Sequence, residues 1–142
     1  MCVSVNMMDF VLDNCARKMF AVYPSPRHLL QDPNALENLA LLITCLYNQK
    51  KAEYILAMTK TLAQKWLKDH GHDIHDYSKI NENIVPDDFD YLLQLNGFGR
   101  KVVSMTLYGV YKKIYAIAVD RHVRRLLVCL GIAFVGWNND KI

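Results

Sequence analysis

Apolar residues recur along this chain at helical rather than strand-like intervals. Between residues 7 and 20 they fall at positions 8, 11, 12, 15 and 19, a stripe along one helix face that ends ahead of Pro24. Ser25-Pro26 reads as an N-cap followed by proline at the first helical position, and predicts a short helix through Gln31. Asp32-Pro33 repeats that signal and predicts a helix to about Leu46. Its Leu36, Leu39, Leu41, Leu42, Ile43 and Leu46 mark it as central. From Lys50 to His70 the amphipathic pattern is clearest: Ala52, Ile55, Leu56, Leu62, Ala63, Trp66 and Leu67 share one face, and Gly71 suits the position just past the helix end.

The stretch from His72 to Val85 is polar and predicts a loop. A helix over about Pro86–Gln94, a hairpin at Leu95–Gly99 and a helix from Arg100 to about Tyr108 follow. Gly109 to Lys113 reads as a turn. Ile114 to Val119 is strand-like but has no pairing partner in the sequence, so it reads as a buried connector. Asp120 is placed to cap a last helix that Gly131 closes. The fold class expected from this pattern is all-α.

A chain of 142 residues suits one domain around one core, and 52% hydrophobic with 22% charged residues is ordinary for a soluble globular protein. The organisation predicted is an extension at 1–8, a helical domain at 9–131 with its hairpin at 95–99, and a tail at 132–142. A net charge of +3 says little alone, but its distribution is uneven. From Gln94 to Arg125 seven bases face one acid, a net of +6; from Asp69 to Asp90 seven acids face one base, a net of −6. Such a split suits a polyanion partner held on one side, but on charge alone two solvated faces of opposite sign are the simpler reading.

Four cysteines (Cys2, Cys15, Cys45, Cys129) are scattered without metal-ligand spacing and read as free thiols of a reducing compartment. No apolar run reaches roughly eighteen residues and no signal-peptide pattern opens the chain, so the expectation is an intracellular protein without a membrane span. His70, His72, His75, Asp73 and Asp76 cluster around a glycine, but their spacing fits no helical ligand pair; a polar loop is the simpler reading, and no metal is expected. Tyr108, Tyr111 and Tyr115 read as packing residues rather than base-stacking ones, and Trp66 as core.

The chemistry concentrates at Leu95-Asn96-Gly97-Phe98-Gly99-Arg100-Lys101 and at Val119-Asp120-Arg121-His122-Val123-Arg124-Arg125. Glycines let backbone amides approach a phosphate, and the N-terminus of the following helix favours the anion. That same positive end disfavours an adjacent ammonium, which helps an amine act as a nucleophile. A lysine just inside one helix and an aspartate capping the next form a chemical set: an amine with a polar partner.

With these motifs the chain resembles the endonuclease III family of helix-hairpin-helix DNA glycosylases, from about Asp9 to Gly131. The family's hairpin, commonly L-P-G-V-G-R-K, stands here as Leu95–Lys101, and its A-V-D-T-H-x-x-R as Ala118–Arg125. A segment like L-Y-N-x-K-A-x-x-I is echoed, with one extra residue, by Leu46-Tyr47-Asn48-Gln49-Lys50-Lys51-Ala52-Glu53-Tyr54-Ile55. The resemblance implies base-excision repair by a glycosylase with AP lyase activity on duplex DNA carrying a damaged base, oxidised pyrimidines foremost, or an abasic site. Lys101 would be the Schiff-base nucleophile at C1′ of a flipped-out nucleotide, and Asp120 would assist departure of the base. Monofunctional relatives usually lack that lysine. DNA contacts are expected from Gly97, Phe98, Gly99, Arg100, Lys112, Lys113, His122, Arg124 and Arg125.

The chain also departs from the family pattern. Asn96 replaces the hairpin proline. The family's N-terminal helix, with the glutamine that fills the space left by the flipped base, has no counterpart, and the match begins near Asp9 on the aspartate that follows that glutamine. The family's C-terminal helices and its four-cysteine [4Fe–4S] loop have none either, so no cofactor is expected. The expectation is a fragment or shortened relative, truncated at both ends, with exposed apolar surface and marginal stability. A partner or missing segment would complete the DNA cleft. The rival reading is a helix-hairpin-helix DNA-binding module that has lost turnover; a helical interaction domain without a DNA role is a third.

Overall fold

The computed structural model of the chain describes residues 9–44 and 47–138. Among the described residues the regular structure is entirely helical: α1 (Asp9–Val22), α2 (Pro26–Gln31), α3 (Ala35–Leu42), α4 (Asn48–Asp69), α5 (Phe89–Leu93), α6 (Arg100–Tyr111) and α7 (Arg121–Cys129), with one 3-10 turn at Tyr77–Lys79. Cys2, Met7, Met8, Cys45 and Leu46 lie outside the described residues. The chain divides into two compact units, one through Pro86 and one from Asp87. That boundary falls inside the 9–131 span read from the sequence, at the end of its polar stretch.

In the first unit α4 packs against both α2 and α3, and α1 against α3. Cys15, Leu29, Leu39, Ile43, Ala52 and Ile55 belong to one buried cluster, with Leu39 and Ala52 fully enclosed. The amphipathic face read from α4 is the face it buries: Leu62, Ala63 and Leu67 are buried as well. Trp66 is only half-buried and stacks on His70 at 4.1 Å. Past α4, Gly71 takes φ +72 and the amides of Gly71 and His72 bond the carbonyls of Lys68 and Leu67, a glycine-dependent closure of the helix end.

Two boundaries differ from expectation here. α1 continues to Val22. α3 begins at Ala35 because Asp32 organises the turn before it: its carboxylate accepts from the Asn34 amide at 2.9 Å, the Asn38 side chain at 2.9 Å and the Tyr23 hydroxyl. α3 is not buried all round, since Leu41 is 78% exposed while Leu39 is enclosed. The polar 72–85 stretch is a loop, yet it is anchored by two buried side chains, Ile80 and Ile84.

In the second unit α5 packs on α6. α5 is shorter than predicted because Asp88, not Pro86, sets its start: the Asp88 carboxylate accepts from the Tyr91 amide at 2.9 Å. α6 runs straight through Gly109 to Tyr111, so the predicted turn lies three residues later, at left-handed Lys112 (φ 57). A helical glycine costs only about 1 kcal/mol relative to alanine, too little to stop a helix whose neighbours favour it. Ile114–Val119 is neither a strand nor a buried connector. A bend at 115–116 interrupts it, Ile114 is 80% and Ile117 72% exposed, and Val119 alone of its large apolar residues is buried.

α7 begins and ends as read: Asp120 caps it, and beyond it Gly131 at φ +70 lets the amides of Gly131 and Ile132 reach the carbonyls of Val128 and Leu127. No α7 residue is buried, and Leu126, Leu130, Ile132, Phe134 and Val135 are exposed, which accords with the expected apolar surface. No described helix is long and apolar enough to cross a membrane. The packing contrast within α3 gives a direct check: Leu39→Ala is expected to cost about 2–5 kcal/mol by urea denaturation, and Leu41→Ala about 0.5 kcal/mol or less. Equal losses would show that α3 does not present Leu39 inward.

Candidate active site

α5 and α6 are joined by a tight hairpin in which the Phe98 amide donates to the Leu95 carbonyl at 3.1 Å. Gly97 sits at φ +87, where a side chain is strained. Gly99 differs: its backbone is extended at φ −85 and an added Cβ would meet open space. Conformation therefore demands a glycine only at 97. At 99 the absent side chain leaves the N-terminus of α6 open to something outside the protein.

Phe98, expected among the DNA-contacting residues, is buried and its amide is already bonded. Its ring seats the hairpin. Arg100 opens α6 with its guanidinium 5.6 Å over the Phe89 ring, which in turn stacks on Tyr115.

Lys101, in the first turn of α6, and Asp120, the cap of α7, meet as the sequence pattern anticipates. Lys101 Nζ lies 3.8 Å from Asp120 Oδ2, both side chains partly open to solvent. An exposed contact of that length is too long for a hydrogen bond and adds little to stability. What holds Asp120 is its backbone environment: Oδ1 accepts from the Val123 amide at 2.8 Å and the His122 amide at 2.9 Å. The Val123 amide foremost holds the carboxyl below the ordinary aspartate range; desolvation, next in size, opposes it, and the His122 amide and the Lys101 charge add to the lowering.

The remaining basic candidates separate in the structure. Lys113 is committed to Asp87, which also accepts from the Tyr115 hydroxyl; Lys113 first and Tyr115 second hold that carboxyl low, and Asp87 raises the Lys113 ammonium. Arg124 is partly buried, donates from Nη2 to the Val135 carbonyl at 2.7 Å, and keeps Nε enclosed without a partner. Both were expected among the DNA-contacting residues; in the structure each also has a partner within the chain, and Lys113 stays exposed. Lys112 and Arg125 are exposed; Lys112 lies 5.7 Å over Tyr108. His122 is exposed and its Nε2 accepts from Arg121 at 3.3 Å. The acidic and basic stretches are thus not cleanly segregated: Asp87 of one neutralises Lys113 of the other. Sequence reading missed Asp87, and only an Asp-rich helix start hinted at it.

Cys15 is buried with Sγ 3.3 Å from the Thr44 hydroxyl, and Cys129 is exposed in a unit that contains no second cysteine.

The fold and site define an all-helical protein with a helix-hairpin-helix that carries a lysine–aspartate pair at two helix N-termini. No protein-family profile matches the chain. It is similar to endonuclease III of Thermotoga maritima, 32% identical over 130 residues that make up 91% of this chain and 53% of that protein. Against endonuclease III of Bacillus subtilis the identity is 30%, covering 92% of this chain and 52% of the relative. Among solved structures, a non-covalent endonuclease III–DNA complex superposes with TM-score 0.71 and a trapped endonuclease III–DNA covalent intermediate with 0.72; in both the identity is 26%, over 96% of this chain and 56% of the other. The chain thus has the helical fold of endonuclease III over the matched part, and spans about half the length of these relatives.

The depressed Asp120 carboxyl sets a pH dependence. Its stabilising effect is fully present above the unfolded value of about 3.9 and is lost as pH falls through the lower folded value. Asp120→Asn keeps a capping oxygen but cannot titrate. The melting temperature of the native chain should exceed that of the variant at neutral pH, and the gap should close in acid. A gap independent of pH would mean that the charge contributes nothing to the cap.

Proposed function

We propose that this chain acts on DNA in base-excision repair, as a glycosylase and AP lyase of the endonuclease III kind. The observation that carries this reading is the Lys101–Asp120 pair, 3.8 Å apart beside the glycine hairpin. The likeness to endonuclease III–DNA complexes supports it. Amides of the hairpin and the N-terminus of α6 face the phosphate backbone, with Gly97 shaping the turn and Gly99 leaving it open. Arg100, Lys112, His122 and Arg125 add charge around it.

In the reaction, Lys101 gives up a proton to water and its amine forms a bond from Nζ to C1′ of an extruded nucleotide as the bond from C1′ to the damaged base breaks. The base leaves with that electron pair and takes a proton from water. Asp120, ionised because amides hold its carboxyl low, stabilises the positive charge that develops at C1′. The Schiff base that follows sugar-ring opening permits β-elimination of the 3′ phosphate. Oxidised pyrimidines are the proposed substrates, by likeness to the family. The second reading is a DNA-binding module without turnover.

Borohydride trapping on a duplex with one abasic site tests both. The expected result is a covalent adduct that Lys101→Gln abolishes while duplex affinity stays within a few-fold. Binding without an adduct would establish the second reading. Gly97→Ala, strained by about 1–3 kcal/mol, should weaken both stability and affinity. Gly99→Ala should leave stability intact and weaken affinity, and if it does not, no phosphate approaches that position.

A further inference from the structure

α7 carries Asp120 but is not itself held by a core. None of its residues is buried, whereas α5 packs on α6 and α6 buries Val103 and Leu107. What sets Asp120 opposite Lys101 therefore acts along the connector between α6 and α7. That connector leaves α6 at left-handed Lys112 and has no regular structure before Asp120. On its α6 side it borders a groove of about 280 Å³, lined by Ile114 and the segment Ala116–Ala118 and, across it, by Ser104, Met105 and Tyr108. Ile114 and Ile117 stand exposed at its edge.

Among the described residues the connector is pinned near each end. At its close Val119 is buried. At its start Lys113 and the Tyr115 hydroxyl donate to Asp87, each to a different oxygen of the carboxylate. Asp87 stands just ahead of α5, and Phe89, the first residue of that helix, extends the contact. The Phe89 ring stacks on Tyr115 at 6.1 Å and lies 5.6 Å beneath the Arg100 guanidinium. Arg100 immediately precedes Lys101, and Tyr115 precedes Asp120 by five residues. The start of α5 thus touches the chain beside each member of the reactive pair.

Exposed contacts of this kind stabilise a fold little, but hydrogen bonds are directional, and two donors on one carboxylate fix orientation as well as distance. We infer that Asp87 is a positioning residue for the Lys101–Asp120 pair, holding through Tyr115 and Lys113 the connector that presents Asp120. Its part in a reaction rests on the glycosylase reading; the geometry does not. A misplacement of about 1 Å arising away from the chemistry can cost about 100-fold in rate, and a connector so sparsely packed is where one would arise.

Tyr115→Phe tests this with every charge unchanged, because it removes the hydroxyl and keeps the ring on Phe89. The first readout needs no DNA. In chains with isotope-labelled lysine, the Lys101 side-chain resonance should move when Asp120→Asn is introduced into the native chain. It should move less than about half as far when the same change is made in the Tyr115→Phe chain, a loss of coupling between the two sites. Equal movement in both overturns the inference, whether or not the chain traps DNA. The second readout is the rate of borohydride trapping at saturating abasic duplex. Tyr115→Phe should lower it about tenfold and leave the duplex dissociation constant within about twofold. Asp87→Asn, which keeps an acceptor for the Tyr115 hydroxyl, should retain more of the rate than Asp87→Ala. Unchanged trapping in both Tyr115→Phe and Asp87→Ala overturns the inference, and so does a loss that appears only as weakened binding. A native chain that gives no adduct fails the glycosylase reading, and the lysine resonance alone then decides whether Asp87 holds the pair.

Discussion

The Asp120 carboxylate is held by two amide donors before any ligand arrives, and that fixes both the start of α7 and the group that faces Lys101. A free aspartate opposite a lysine would move to close a shorter ion pair. Capping prevents this: Oδ1 is committed to Val123 and His122, and Oδ2 stays 3.8 Å from Nζ. The pair is therefore preorganised without being tightly bonded. A charge poised near a reactive amine, but not locked to it, is what stabilisation of a developing cation needs.

The same economy runs through α6. Its first turn offers the open N-terminus after Gly99 and the Lys101 amine; its next two turns line the groove through Ser104, Met105 and Tyr108. Its opposite face packs through Val103 and Leu107, both fully buried. One helix thus separates anchoring from exposure by the period of its own turn. The connector 114–119 completes the groove because it stays outside the core. Its exposed isoleucines, which look wasteful as folding residues, line a cleft edge.

What the sequence made legible was local chemistry. Asp120 three residues before Val123, and Gly71 and Gly131 just past amphipathic faces, each act through backbone groups within a turn, so position alone announces them. The hairpin is legible for the same reason: only Gly97 needs a positive φ, and a glycine stands there. Non-local pairing was not legible. Asp87 collects Lys113 and Tyr115 from beyond the end of α6, and Asp32 collects the Tyr23 hydroxyl and the Asn38 side chain. Neither partnership has a spacing that a reader of the chain could count. The exposure of Ile114 and Ile117 was hidden likewise, because burial depends on whether another segment covers them.

These hidden pairings change the electrostatic argument in kind. Counting formal charges over 94–125 gives a strongly basic stretch, yet Lys113 is neutralised by Asp87, Arg124 is turned toward Val135, and Lys101 faces Asp120. Lys112 also has a partner, its Nζ donating to the Gly109 carbonyl at 3.3 Å, while Arg125 is exposed. Phosphate binding scales with the ions actually displaced, not with the formal count. Under the proposed DNA-binding reading, the grip on phosphates would lean on uncharged donors, the open end of α6 foremost, which position a backbone without reading its sequence. On the proposed reading, such a site would grip DNA of any sequence, and selection would fall to the Lys101–Asp120 pair, where the nucleotide leaves the helix.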